Sequence, residues 1–211
     1  MPATRFIVVR HGETEWNVAG RVQGHEDSPL TARGLAQAEA IAERLARERF
    51  DALVASDLGR ARRTAQAIGA RCGLEVQPDP RVRERSFGEG EGLDYDEIDR
   101  RWPDVFIRTG ATDPDRAIPG GETRRQFQER VRAAFVALAR EHAGRRVAVV
   151  SHGGVVAALY RIVHDIPLAH AHRIAISNAS YNAVAFDGDA WALEAWDDTA
   201  HLPDATPFAE S

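Results

Sequence analysis

Apolar residues along this chain alternate between short continuous runs and longer stretches with helical spacing. Runs at residues 6–9, 52–55, 74–77 and 146–150 predict four strands, of which the third is the weakest. Apolar positions recur every three or four residues across 31–45, 61–68, 127–138 and 155–162, which predicts four helices. The first helix carries its apolar stripe on Leu35, Ala38, Ile41 and Leu45. This alternation predicts an α/β fold whose mainly parallel sheet is covered by helices on both faces.

The later part of the chain departs from this alternation. Residues 181–186 and 191–196 flank Asp187-Gly188-Asp189, which is typical of a β-hairpin, and we expect it at an edge of the sheet. Prolines at 103, 114 and 119 interrupt a stretch with little periodicity, so we predict a lid-like insertion over about residues 89–122. We expect residues 1–202 to form a single domain and residues 203–211 to form a loose tail.

Composition narrows the classes of function. The 211 residues carry a net charge of −5, which argues against broad binding of nucleic acid or of an anionic membrane. Cys72 is the only cysteine, so the chain has no internal disulfide and no multi-cysteine metal site. No apolar run reaches the length of a membrane span and the first residues do not resemble a signal peptide. We therefore expect a cytoplasmic protein, either a monomer or a homodimer.

All 27 basic residues are arginine. The absence of lysine excludes a Walker A loop and any lysine-based covalent catalysis. A bound phosphate would have to be held by arginine, histidine or amide groups.

Polar and charged residues follow each of the four predicted strands. In parallel α/β sheets, ligands bind at the carboxyl ends of the strands, so these residues are expected to meet at one edge. They are Arg10-His11-Gly12-Glu13, Ser56-Asp57 with Arg60, Arg83-Glu84, and Ser151-His152-Gly153-Gly154.

The residue types at this edge indicate phosphoryl chemistry. Two arginines and two histidines suit a phosphate dianion, and the helix that begins after His152 adds backbone amides. A neutral imidazole can attack phosphorus, and a carboxylic acid such as Glu84 can protonate the leaving alkoxide. The alternative for Glu84 is a surface ion-pair cluster with Arg81, Arg83 and Arg85. His25 is expected to be an exposed loop residue.

The segment Arg10-His-Gly-Glu-Thr-Glu-Trp-Asn17 resembles the signature of the histidine phosphatase superfamily, the phosphoglycerate mutase-like proteins. The similarity covers roughly residues 5–202. Further matching segments are Gly20–Gly24, Asp27–Thr31, Ser56–Ala61, Thr64-Ala65, Arg83-Glu84, Phe87-Gly88, Gly120–Glu122, Ser151–Gly154 and Asn178–Ser180.

The resemblance implies a three-layer α/β/α sandwich and a role for each matching residue. His11 would be the nucleophile that becomes phosphorylated, and Glu84 the proton donor. Arg10, Arg60 and His152 would bind the phosphate, with contacts from Asn17, Gln23, Gly24 and Gly153. Two positions depart from the pattern: Gly90 stands where many members carry Trp, and Asp197 where phosphatase-like members often carry Asn.

Several functions are compatible with these residues. We favour a metal-independent phosphomonoesterase that hydrolyses small phosphorylated metabolites through phosphohistidine, without a cofactor. The alternative is a phosphoglycerate mutase that uses 2,3-bisphosphoglycerate, with Arg116, Arg124 and Arg125 as candidates for a second anion site. A phospho-ligand binding module is disfavoured because no catalytic position of the motifs is substituted. A metal-dependent hydrolase would need paired carboxylates, which the motifs lack.

Overall fold

In the computed structural model, strands and helices alternate as the apolar pattern predicts. The structure describes residues 2–105, 113–170, 174 and 176–202. Within these ranges the strands are β1 (Thr4–Arg10), β2 (Ala52–Ala55), β3 (Val76–Pro78), β4 (Arg146–Ser151), β5 (Tyr181–Phe186) and β6 (Trp191–Asp198). The helices are α1 (Glu15–Val18), α2 (Ala32–Leu45), α3 (Gly59–Cys72), α4 (Tyr95–Arg101), α5 (Arg124–Glu141) and α6 (Gly153–Val163). The predicted insertion falls partly on residues 106–112 and the predicted tail falls wholly on residues 203–211, and both stretches lie outside the described residues.

One mixed sheet in the order β3-β2-β4-β1-β5-β6 forms the middle of the molecule. β1, β2, β3 and β4 pair in parallel, whereas β5 pairs antiparallel with β1, and β6 with β5. The predicted hairpin at the sheet edge is therefore confirmed. β1 and β4 lie side by side at the centre, so the residues that follow them emerge next to each other.

Alternate residues of the central strands supply two separate cores. Phe6 and Val8 pack on one face with α5 and α6, and Ile7 and Val9 pack on the other with α2 and α3. This alternation buries both faces of the sheet and gives the expected three-layer α/β/α sandwich. A third, smaller cluster forms around Val22, Ile98 and Ile118, beside the segment that follows Glu84.

Two local predictions were wrong. Leu35 is 40% exposed, because the approach of α2 to the loop after β1 places Gly34 on the buried side instead. β3 begins at Val76 rather than at residue 74, because the C-terminal cap of α3 uses the residues before Val76. Gly73 adopts a left-handed conformation, and Leu74 N–H donates to Gly69 O in the last turn of the helix. The short helices α1 and α4 were not predicted from periodicity.

Candidate active site

Two histidines meet at the centre of the carboxyl edge of the sheet. His11 follows β1 and His152 follows β4, and both side chains are buried. Their ring centroids lie 5.3 Å apart. His11 N–H donates to Ser151 O at 2.9 Å, which extends the β1–β4 pairing to the first residue beyond the strand. The strand pairing itself therefore brings the two imidazoles together.

The hydrogen bonds of His11 determine which ring nitrogen is available for chemistry. Nδ1 lies 2.8 Å from Gly12 O, and a carbonyl oxygen only accepts, so Nδ1 carries the proton. Nε2 of the neutral ring then holds the lone pair, and Arg60 Nε–H points to it at 3.3 Å. The reactive nitrogen therefore lies beside a guanidinium.

Arg60 lies beneath the pocket, with a side chain that is 1% exposed. Its guanidinium donates to Gly24 O at 2.8 Å, to Glu26 O at 2.9 Å and to Asp27 Oδ1 at 3.0 Å. These bonds attach the loop that contains Gln23 and Gly24 to the first turn of α3. The charged group is thus held in a fixed position next to His11.

The surroundings favour neutral imidazoles. Burial, together with the positive charges of Arg60 and Arg10, holds the pKa of His11 well below its usual value. Burial and the charge of Arg60 also hold the pKa of His152 well below its usual value. Both rings are therefore uncharged at neutral pH, as a nucleophile and a hydrogen-bonding group require.

Some buried polar atoms in this pocket lack a protein partner. His152 Nε2 lies 2.8 Å from Ser56 Oγ, whereas its buried Nδ1 has no hydrogen-bond partner among the described residues. The side-chain oxygen of Gln23 is also buried without a partner among the described residues, but as an acceptor it would need a donor rather than an anion. Unpaired buried polar groups cost free energy, so this arrangement fits a pocket whose ligand completes the hydrogen bonds.

The loop after β1 is held close to α2 and α3. Gly12 N–H donates to Thr64 Oγ1 on α3 at 3.1 Å. A side chain at Gly12 would collide with the backbone of Gly34 at the start of α2, so this position requires glycine. Asn17 accepts a hydrogen bond from Thr14 N–H through Oδ1 at 3.1 Å, and its Nδ2 has no acceptor among the described residues.

Glu84 reaches the same edge from the segment after β3. Its Oε2 accepts from Gly154 N–H at 2.9 Å, and its Oε1 accepts from Arg85 N–H at 2.8 Å. A side chain at Gly154 would collide with this carboxylate, so glycine at the second position of α6 makes room for it. The carboxyl group therefore lies beside Gly153 and Gly154, the first two residues of α6, which come directly after His152.

The alternative of an arginine cluster around Glu84 is wrong. Arg81 pairs with Asp79 and Glu141, and Arg83 donates to Asp57 Oδ1 at 2.6 Å. Arg85 Nε donates to Glu122 O at 2.9 Å. Each guanidinium is therefore paired with a group other than the Glu84 carboxylate.

The sequence reasoning also missed residues that shape the site. His25 is half-buried rather than exposed, because Nε2 donates to Glu84 O at 2.9 Å. Arg130 on α5 donates to the same carbonyl, and Asn178 Nδ2 donates to His11 O at 3.1 Å. Asp197 holds the backbone next to Asn178, because its Oδ1 accepts from Ser177 N–H at 2.6 Å. Only Asn178 lay within a recognised motif.

The structure therefore brings all nine predicted site residues to one edge of the sheet. They are Arg10, His11, Asn17, Gln23, Gly24, Arg60, Glu84, His152 and Gly153. Among the described residues, no group of three or more His, Cys, Asp or Glu is arranged to hold a metal ion. No helix in the described ranges is long and apolar enough to cross a membrane.

Comparisons with known proteins agree with this geometry. Phosphoglycerate mutase-like protein 4 of Arabidopsis thaliana is 40% identical over 211 residues, covering 98% of this chain and 90% of that protein. A metal-independent phosphoserine phosphatase of the same plant is 40% identical over 202 residues, covering 94% and 83%. A mycobacterial glucosyl-3-phosphoglycerate phosphatase solved with VO3 superposes with a TM-score of 0.78 at 32% identity, covering 92% and 99%.

A comparison with protein-family models identifies the family of this chain. The model of the histidine phosphatase superfamily (branch 1) matches residues 6–199, from β1 to the end of β6. The match includes both histidines, Arg60 and Glu84. The chain belongs to the histidine phosphatase superfamily.

Proposed function

We propose that this protein is a metal-independent phosphomonoesterase that acts on small phosphorylated metabolites through a phosphohistidine at His11. The observation that carries the proposal is the lone pair of His11 Nε2, which the Nδ1–H bond to Gly12 O leaves facing Arg60 in a buried pocket. A relative named a metal-independent phosphoserine phosphatase supports the absence of a metal step.

The residues have distinct roles in the proposed reaction. Nε2 of His11 attacks phosphorus and forms an N–P bond, while the bond from phosphorus to the ester oxygen breaks. Glu84 in its acid form gives its proton to the departing alkoxide. Arg10, Arg60 and His152 stabilise the charge on the phosphoryl oxygens, with Asn17, Gln23, Gly24 and the Gly153 amide completing the pocket.

A second step returns the protein to its starting state. Glu84, now a carboxylate, takes a proton from a water molecule that attacks the phosphorus atom. The N–P bond breaks, inorganic phosphate leaves, and Nε2 recovers its lone pair. Each proton that Glu84 gives in the first step is thus recovered in the second.

The mutase remains the alternative, and the charges around the pocket disfavour it. A mutase needs a second anion site to retain a bisphosphate. Of the three candidate arginines, Arg125 donates to Asp115 Oδ1 at 2.6 Å and Arg116 donates to Asp104 Oδ2 at 3.0 Å. Among the described residues Arg124 alone of the three has no carboxylate partner, and a single cation is a weak site for a second phosphate.

Incubation with 3-phosphoglycerate, with and without catalytic 2,3-bisphosphoglycerate, separates the two functions. We expect little 2-phosphoglycerate, and release of inorganic phosphate from a panel of small phosphomonoesters. Isomerisation that exceeds phosphate release by orders of magnitude would establish the mutase instead. Exhaustive chelation tests the metal-independent step, and we expect it to leave phosphate release unchanged.

Setting and assembly are also part of the proposal. We propose a reducing compartment such as the cytoplasm, supported by the single cysteine, and a monomer or homodimer as the working state. The predicted domain extends over residues 1–202, and the lid-like role of residues 89–122 remains a prediction.

A further inference from the structure

Arg130 lies outside the phosphate pocket, on the second turn of α5, and uses every N–H of its guanidinium. Nε and Nη2 donate to the two carboxylate oxygens of Glu122 at 2.8 and 2.7 Å. Nη1 donates to Arg81 O at 2.9 Å and to Arg83 O at 3.0 Å, and Nη2 also donates to Glu84 O at 3.0 Å. A guanidinium has five N–H groups, and here each has one acceptor.

The carbonyl groups of the segment that Arg130 binds have few other partners. Residues 81–84 lead out of a single 3-10 turn (Pro80–Val82) and belong to no strand or α-helix. Within the described ranges, no backbone N–H donates to the carbonyls of Arg81, Arg83 or Glu84. His25 is the other side chain that donates to Glu84 O. Ser151 Oγ donates to Val82 O at 2.7 Å, so side chains hold the carbonyl groups of residues 81–84, and Arg130 binds three of the four.

Glu122 extends this support beyond Glu84. Besides the fork of Arg130, its Oε2 accepts from Ser86 N–H at 3.0 Å. Burial raises the pKa of Glu122, but the hydrogen bonds from Arg130 and Ser86 lower it further, so the pKa lies below its usual value. This carboxylate therefore stays charged. A charged bidentate pair, about a quarter exposed on each side, thus holds both ends of the turn that contains Glu84.

We propose that Arg130, with Glu122, is a positioning residue for the general acid, acting on Glu84 through its backbone carbonyl. This inference rests on the proposed function. Among the described residues, the Glu84 carboxyl group accepts from Arg85 N–H and Gly154 N–H alone, so displacement of its backbone would move it away from the leaving oxygen. A misplacement of about 1 Å can reduce a rate by about 10²-fold, without removal of any catalytic group.

The test compares two phosphomonoesters that differ in their need for an acid. Arg130→Met should lower kcat/KM for an alkyl phosphate by about 10-fold to 100-fold, and for p-nitrophenyl phosphate by less than about 3-fold. Most of the loss should be in kcat rather than in KM, because the phosphate pocket is intact. Arg130→Lys should recover little, because an ammonium group cannot reproduce the planar fork.

Arg81→Met is the matched control. Arg81 also ties this segment to α5, through Glu141, but its guanidinium makes no contact with Glu84. We expect this variant to keep the wild-type ratio of alkyl to aryl turnover. If Arg130→Met fails to fold, Glu122→Gln breaks the same fork and should show the same selective loss in reduced form.

A double variant tests whether Arg130 acts through Glu84. In a Glu84→Gln background, Arg130→Met should have almost no further effect on alkyl phosphate turnover. Equal losses on both substrates, or full additivity with Glu84→Gln, would overturn the positioning role while leaving the phosphatase intact. A wild-type protein that releases no phosphate and traps no phosphohistidine would instead overturn the proposed function, and the positioning role with it.

Discussion

The floor of the pocket and its outer wall are held in place by different interactions. The floor consists of Arg10, His11, Arg60 and His152, all buried and attached to central strands or to the first turn of α3. The wall consists of the described residues between Ser86 and Gly121, which form one short helix, one 3-10 turn and a small apolar cluster. The two regions therefore differ in their support: strands and a long helix fix the floor, whereas the wall has little regular structure.

Gly90 illustrates the difference. It stands where many members of the family carry Trp, and it is buried in the wall. A side chain there would contact Ile118 Cδ1 at 2.7 Å, so Ile118 occupies the space that a larger residue would need. No comparable exchange is available in the floor, where His11 and Arg60 contact one another directly.

The largest effect should come from removing the floor nucleophile. His11→Ala should lower phosphate release by about 10⁴-fold or more, as loss of a nucleophile does in other enzymes. Rapid quench with a labelled phosphomonoester should trap an acid-labile, base-stable label on the wild-type protein and none on the variant. Label that persists on His11→Ala would assign the nucleophile to another residue.

Glu84, where the floor meets the wall, should show the next largest effect. Glu84→Gln should slow an alkyl phosphate by about 10²-fold to 10⁴-fold and an aryl phosphate far less, because a good leaving group needs little protonation. Glu89→Gln, an exposed carboxylate in the wall, is the control and should leave both rates near wild type. Equal losses on both substrates for Glu84→Gln would restrict Glu84 to a structural role.

The buried histidines of the floor should make stability depend on pH. Their pKa values are lowered in the folded protein, so below about pH 6.5 the unfolded chain binds more protons than the folded one. The free energy of unfolding should therefore fall as the pH drops through this value, by up to about 1.4 kcal/mol per pH unit for each ring.

Urea unfolding at pH 7.5, 6.5 and 5.5 measures this dependence. Replacement of either ring in His11→Asn or His152→Asn should make the slope shallower than in the wild type. Identical slopes in all three proteins would mean that the two rings do not titrate differently on unfolding.

The smallest effect should come from trimming the wall. Ile118→Val should lower the free energy of unfolding by about 0.5–1.5 kcal/mol, because it removes one buried methylene from the small cluster. Turnover of p-nitrophenyl phosphate should stay within about twofold of wild type. A large loss on this substrate would mean that the wall supports the floor directly, which would contradict their being held in place by different interactions.

Sequence reasoning predicted the floor better than the wall, for a physical reason. Continuous apolar runs identify buried strands, and the residues just after parallel strands must meet, so His11, Arg60 and His152 could be grouped from the chain alone. The turn that contains Glu84, where the floor meets the wall, is instead held by polar side chains from distant segments. Nothing near Arg130 in the sequence indicates that it binds Glu84 O, and nothing near His25 indicates that it does the same.

The central position of β1 also has a consequence for how the molecule folds. Arg5 pairs with Arg146 on one side and with Ala185 on the other, so both neighbours of β1 come from late in the chain. Contacts between residues so far apart in sequence close large loops, which slows folding and postpones the pairing of an apolar strand. His11 and His152 come together only once β1 has paired with β4, so acquisition of activity should report this long-range pairing rather than the formation of local helices.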